Sequence, residues 1–161
     1  MTIKILTTGG TFDKVYFDSL SEFHIGEPMA GTLLEEANVT FTYAVESLLT
    51  KDSLEITRED RELIRNRVAG VTESMVLITH GTDTMVDTAK SLQGIDNKTI
   101  VLFGAMQPAR MRYSDAMFNL GIACAAVQIL PPGIYIAMNG RIFNPHEVAK
   151  NRAAARFETI P

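Results

Sequence analysis

The chain has 161 residues, 46% of them hydrophobic, and a net charge of −4, which is enough for one core and lacks the basic excess that neutralises nucleic-acid phosphates. Its single cysteine, Cys124, excludes an intramolecular disulfide and the cysteine-pair zinc patterns. No apolar run approaches the roughly 20 residues of a membrane span, and Met1 leads directly into the alternation Ile3, Ile5, Leu6 without the segments of a signal peptide. The expectation is one cytoplasmic domain over residues 1–161 that binds neither nucleic acid nor membrane.

In chain order, a β-rich run over residues 2–8 leads into Thr7-Thr8-Gly9-Gly10-Thr11, and helical spacing follows at 28–37. A second run at 39–46 precedes Asp52-Ser53, and Thr57 with Asp60 three positions on starts a helix over 57–69. The third run, 74–79, contains the non-alternating Met75-Val76-Leu77-Ile78, and a helix over 83–92 follows Thr82. The fourth, 98–104, contains Ile100-Val101-Leu102-Phe103. Continuous apolar strands of this kind belong at a sheet centre, buried on both faces. A helix from Asp115 to Ile129, closed by Pro131-Pro132, leads to a fifth run at 133–138, and a last helix is expected to start near Pro145.

Strands separated by helices of this length imply right-handed crossovers and a mostly parallel sheet. The expected fold is α/β, a flavodoxin-like three-layer sandwich with helices on both faces of the sheet and strand order 2-1-3-4-5. Its topological switch point lies between the first and third strands, where a ligand should bind at their carboxyl ends.

Those two strands end in Thr8-Gly9-Gly10-Thr11 and in Thr79-His80-Gly81-Thr82-Asp83-Thr84. Glycines let a backbone approach a ligand closely, and compact hydroxyls beside them serve as donors or nucleophiles. Neither turn matches G-x-G-x-x-G or ends in G-K-[ST], so the nucleotide-binding versions fail on residue identity, while a generic anion site stays open. His24, His80 and His146 show no ligand spacing, so no metal is expected. His80, at the end of a buried strand, reads as a neutral, hydrogen-bonded structural histidine.

Taken together with Gly104-Ala105-Met106, Pro108, Asn139-Gly140 and Val148-Ala149-Lys150, in this order and spacing, the two turns resemble the L-asparaginase family over essentially the whole chain. The longer members continue into a second, smaller domain, so the chain resembles a short, single-domain branch. Gln107 stands where the family often has arginine.

The resemblance implies that Thr11 is the nucleophile attacking a side-chain amide carbon, with Tyr16 beside it as proton acceptor. Phe12 and Phe17 are the neighbouring aromatics. It implies a second group of Thr82, Asp83 and Lys150, in which Lys150 acts as base for Thr82 or a water and Asp83 holds that lysine or the substrate ammonium. Substrate contacts would come from Gly10, Asp52, Ser53, Gly81, Thr82 and Asp83, and backbone N–H groups of the glycine turns would stabilise the oxyanion. The implied reaction is hydrolysis of L-asparagine to L-aspartate and ammonia, without cofactor or metal, in a homo-oligomer whose neighbouring subunit covers the crevice. A glutaminase or broader small-amide amidase is the alternative within enzymes, since one methylene is worth only about 1–3 kcal/mol of discrimination. A non-catalytic amino-acid-binding module is the alternative outside them.

Overall fold

The computed structural model describes residues 1–161. Six strands form one sheet in the order β4-β1-β5-β6-β7-β8: β1 (Thr2–Gly9), β4 (Thr42–Lys51), β5 (Met75–Thr79), β6 (Thr99–Phe103), β7 (Gly133–Met138) and β8 (Arg141–Phe143). The first five run parallel and follow the expected order, while β8 adds an antiparallel edge. Helices α1 (Ala30–Glu36), α2 (Arg58–Gly70), α3 (Met85–Ser91) and α4 (Ala116–Ile129) connect the strands. No helix is long and apolar enough to cross a membrane.

The sheet separates two apolar layers. Ile3, Ile5, Leu77, Val101 and Phe103 pack with α1 and α4 through Leu33, Leu34, Leu120 and Val127. Their chain neighbours Leu6, Val76, Ile78, Ile100 and Leu102 point the other way, toward Ile64 and Val68 of α2 and Met85 and Ala89 of α3. Successive side chains of a strand face opposite sides, so continuously apolar β5 and β6 supply both layers. Helix α2 starts at the capping box read from the sequence: the Thr57 side chain accepts the Asp60 N–H, and the Asp60 carboxylate accepts the Thr57 N–H.

Four elements differ from expectation. The second run lies further along, at Thr42–Lys51, so it delivers Asp52 directly from a strand end. Helix α3 begins at Met85 with Thr84 as its N-cap residue, which leaves Thr82 and Asp83 in an open turn. Residues 14–25 form a hairpin of β2 (Lys14–Phe17) and β3 (Glu22–Ile25). The helix expected near Pro145 is a single 3-10 turn, Pro145–Glu147, capped by Asn144, and is followed by a second hairpin of β9 (Val148–Asn151) and β10 (Arg156–Thr159). Pro145 can start a turn as readily as a helix, but Val148 and the residues after it find strand partners at 156–159, and pairing wins.

Candidate active site

Three turns meet at the carboxyl ends of β4, β1 and β5. Gly10 has φ 76° and ψ −176°, a conformation open to glycine, and its N–H donates to the Lys51 carbonyl at 2.9 Å. A Cβ on Gly10 would lie 2.6 Å from the Cα and N of Gly81, and one on Gly81 would lie 2.5 Å from the Cβ of Ser53. The Thr8-Gly9-Gly10-Thr11 and His80-Gly81-Thr82 turns therefore pack main chain against main chain, and the Ser53 side chain of the Asp52-Ser53 turn packs against Gly81. Thr8 Oγ1 donates to the Thr79 carbonyl at 2.7 Å, and Thr84 Oγ1 donates to the Ser53 carbonyl at 2.7 Å.

The second expected group is assembled. Lys150 Nζ donates to Thr82 Oγ1 at 2.6 Å and to Asp83 Oδ1 at 2.9 Å, with the Arg152 guanidinium 3.3 Å from the same carboxylate oxygen. Lys150 arrives on strand β9, opposite buried Phe157 of β10. Phe157 in turn donates its N–H to Asn139 Oδ1 at 2.8 Å. Asn139, noticed in the sequence only as part of a motif, thus anchors the hairpin that carries the lysine.

Asp52 caps the 3-10 turn Ser53–Glu55, accepting the Leu54 N–H on Oδ1 at 3.1 Å, and its Oδ2 lies 3.3 Å from Lys14 Nζ. Burial pushes the Asp52 carboxyl up, but the Leu54 N–H and the charges of Lys14 and Lys150 outweigh it and bring the pKa below the ordinary carboxylate value. Lys14 was not singled out in the sequence. It also lines, with Thr11, Phe23, Met106, Gln107 and Pro108, a pocket of about 230 Å³.

Thr11 opens the 3-10 turn Thr11–Asp13, half-buried, and its hydroxyl has no hydrogen-bond partner in the chain. Tyr16 is not bonded to it. The Tyr16 ring, half exposed on β2, leans on Phe23 at 5.1 Å between centroids and lines an adjoining hollow of about 410 Å³ that shares Lys14, Phe23 and Pro108 with the Thr11 pocket. Gln107 is held from behind, its N–H and that of Met106 donating to the Asp115 carboxylate at 2.9–3.1 Å.

His80 is fully buried. Its Nδ1 lies 2.7 Å from the Gly81 carbonyl, which accepts only, so Nδ1 carries the proton and Nε2 accepts from the Thr88 hydroxyl at 2.7 Å. Burial lowers its pKa to about 4. A neutral ring that orients the Gly81 peptide agrees with the structural role expected of it. No cluster of three or more His, Cys, Asp or Glu side chains is grouped to hold a metal ion.

The glycine turn that carries Thr11 packs against the glycine turn that leads to the Thr82–Asp83–Lys150 cluster, and comparison with known proteins gives the chain a family. The asparaginase N-terminal family model matches residues 2–160. A glutaminase-asparaginase of Acinetobacter glutaminasificans is 35% identical over 124 residues, covering 71% of this chain and 36% of its own. The L-asparaginase of Thermococcus kodakarensis is 31% identical over 160 residues, covering 93% of this chain and 48% of its own. The solved structure of the thermostable L-asparaginase from Thermococcus kodakarensis superposes with a TM-score of 0.85 at 29% identity over 99% of this chain and 51% of that one. The chain spans about half the length of these relatives or less. On the match of residues 2–160, the chain belongs to the asparaginase family through its N-terminal domain.

Proposed function

We propose that the chain hydrolyses L-asparagine to L-aspartate and ammonia, with Thr11 as nucleophile and no cofactor. The observation that carries this reading is the Lys150–Thr82–Asp83 cluster, in which one ammonium nitrogen touches both a hydroxyl and a carboxylate within 2.9 Å. A purely structural lysine needs no hydroxyl at 2.6 Å, and a site that only binds amino acids needs no nucleophile.

The Thr11 oxygen adds to the side-chain amide carbon as its proton passes to a base, for which the hairpin must bring Tyr16 toward it. The N–H groups of Thr82 and Asp83, which donate to no carbonyl within the chain, are available to the developing oxyanion. The C–N bond breaks as the nitrogen takes a proton and leaves as ammonia. Once Lys150 has given up its ammonium proton to solvent, a water passes its own proton to that amine through the Thr82 hydroxyl, cleaves the Thr11 ester and releases L-aspartate. Gly10, Asp52, Ser53, Gly81, Thr82 and Asp83 line the substrate's path, with Asp83 available to its ammonium. The name of the Acinetobacter relative, a glutaminase-asparaginase, favours L-glutamine as a second substrate. The open carboxyl-end crevice favours a homo-oligomer in which a neighbouring subunit covers it, and we place the reaction in the cytoplasm.

Ammonia release from a panel of amides by the purified chain tests the reading. Asparagine, with or without glutamine, should be turned over and Thr11→Ala should abolish turnover. Calorimetric binding of asparagine without ammonia release would replace the enzyme by an amino-acid-binding module.

A further inference from the structure

Asp13 is a buried carboxyl two residues beyond Thr11 that the proposed chemistry leaves unused, with only 1% of its surface exposed. It ends the Thr11–Asp13 turn and stands where the β2–β3 hairpin departs. Its Oδ1 accepts the Met29 N–H at 2.9 Å, and its carbonyl accepts the Gly26 N–H at 2.8 Å and Arg110 Nη1 at 2.7 Å. Arg110 Nη2 continues to the Glu27 carbonyl at 2.8 Å. The chain entering the hairpin at Lys14 and the chain leaving it at Ile25 are thus fastened to one residue.

We propose that Asp13 is a positioning residue: it clasps the base of the β2–β3 hairpin and sets the angle at which Tyr16 is carried toward Thr11. The proposal rests on the functional reading above only for the role of Tyr16. The clasp itself is a matter of hydrogen bonds. Tyr16 makes no hydrogen bond to Thr11 and lines a hollow that adjoins the Thr11 pocket, so for Tyr16 to act on Thr11 the hairpin turns about its base.

The clasp also responds to acid. Burial outweighs the Met29 hydrogen bond and the Arg110 charge and pushes the Asp13 pKa up to about 6. The closed base therefore takes a proton more readily than an opened, hydrated one, and the hairpin is held more tightly as pH falls through about 6. The charged groups around it are Arg110 against its main chain, the Lys14–Asp52 pair at the start of β2, and His24 beside Glu22 on β3. Because histidines change charge in the same range, His24→Gln is carried in the pH comparison.

The test compares Asp13→Ala, which removes the side-chain acceptor of the Met29 N–H and leaves the main-chain bonds to Gly26 and Arg110, with Asp13→Asn, which keeps a side-chain acceptor without charge. Hydrogen exchange of the residue 14–25 amides should speed up at least about tenfold in the alanine variant and not in the asparagine variant, with β1 and β5 unchanged. In the His24→Gln background, exchange corrected for intrinsic rate should be slower at pH 5 than at pH 8, and this difference should vanish with Asp13→Asn. Asp13→Ala should lower kcat for asparagine about tenfold or more in the parent and add no further loss to Tyr16→Phe. Unaltered hairpin exchange in the alanine variant, or losses that multiply with Tyr16→Phe, would overturn the proposal. A parent that releases no ammonia would sink the functional reading alone, and the exchange comparison would still decide the clasp.

Discussion

Gly10 and Gly81 touch main chain to main chain, so close that a single methyl on the first would sit 2.6 Å from the Cα of the second. Each is followed directly by one of the two proposed reactive threonines, so the gap between Thr11 and Thr82 is set by the absence of two side chains. Gly10→Ala must both hold an alanine at φ 76° and push the two turns apart. The strain alone is worth about 1–3 kcal/mol. Chemical denaturation should show a loss of at least that size, and ammonia release should fall below detection in the fraction that remains folded. Parent-like turnover would mean that the threonine spacing is not critical.

Lys150→Met and Thr82→Val separate chemistry from folding. Asp83 keeps Arg152 when the lysine is lost, and partly exposed ion pairs contribute only about 0–1 kcal/mol. Both variants should melt within a few degrees of the parent. If Lys150 removes a proton through Thr82, kcat should drop by roughly 10²–10⁴ in each, and the double variant should be little worse than either single one. A rise in KM with unchanged kcat would make the cluster a binding site.

Lys14→Met addresses the link between the Thr11 pocket and the Asp52-Ser53 turn proposed to bind substrate. Asp52 would keep its Leu54 N–H and lose the ammonium 3.3 Å from its other oxygen. With an exposed pair worth about 1 kcal/mol or less, the expected result is a severalfold higher KM for asparagine and a nearly unchanged kcat. Steady-state kinetics at low and moderate salt check it. The difference between variant and parent should shrink as salt screens the pair.

His80 and Asp13 pull the acid stability of the fold in opposite directions. His80, lowered from 6.5 to about 4, is neutral in the fold while the unfolded chain takes up a proton, so it costs stability as pH falls from 6.5 to 4, by on the order of 3 kcal/mol. Asp13, raised from 3.8 to about 6, binds its proton first in the fold and returns a similar amount over nearly the same window. Between pH 6.5 and 5 the parent should hold a nearly level stability. Asp13→Asn should be more stable at pH 7 and lose stability steadily on acidification, as read from urea midpoints. A parent curve as steep as the variant's would show that Asp13 titrates near its ordinary value.

The layers of the sheet were legible because they depend on composition. Ile100 to Phe103 are apolar at every position and are buried on both faces, and Thr57 with Asp60 forms the capping box its spacing suggests. The two hairpins were not, for want of turn glycines. Ser21 and Ala155 supply the left-handed conformations, with φ of 49° and 50°, which neither residue type announces. The β7–β8 turn did carry its signal: Asn139-Gly140, with φ of 55° and 74°, is the favoured pair for a two-residue hairpin. It was read as a motif rather than as a turn. Thr82 and Lys150 meet across 68 positions, and only the family resemblance paired them, since nothing in local spacing links a strand-end turn to a distant hairpin. The Lys14–Asp52 contact was hidden for the same reason.

That Lys150 sits on a strand carries a penalty for length changes that a helix would not impose. Along β9 alternate side chains face opposite sides, and Lys150 is held in phase by its pairing with Phe157 across the loop of residues 152–155. Adding or deleting one residue in that loop would let the two strands re-pair one step out of phase. In that alignment the amine turns away from Thr82 while every strand stays intact. Val148, two residues earlier on the same face and buried in the core, would turn out with it, so an indel in this loop should lower the melting temperature as well as take the amine away from Thr82.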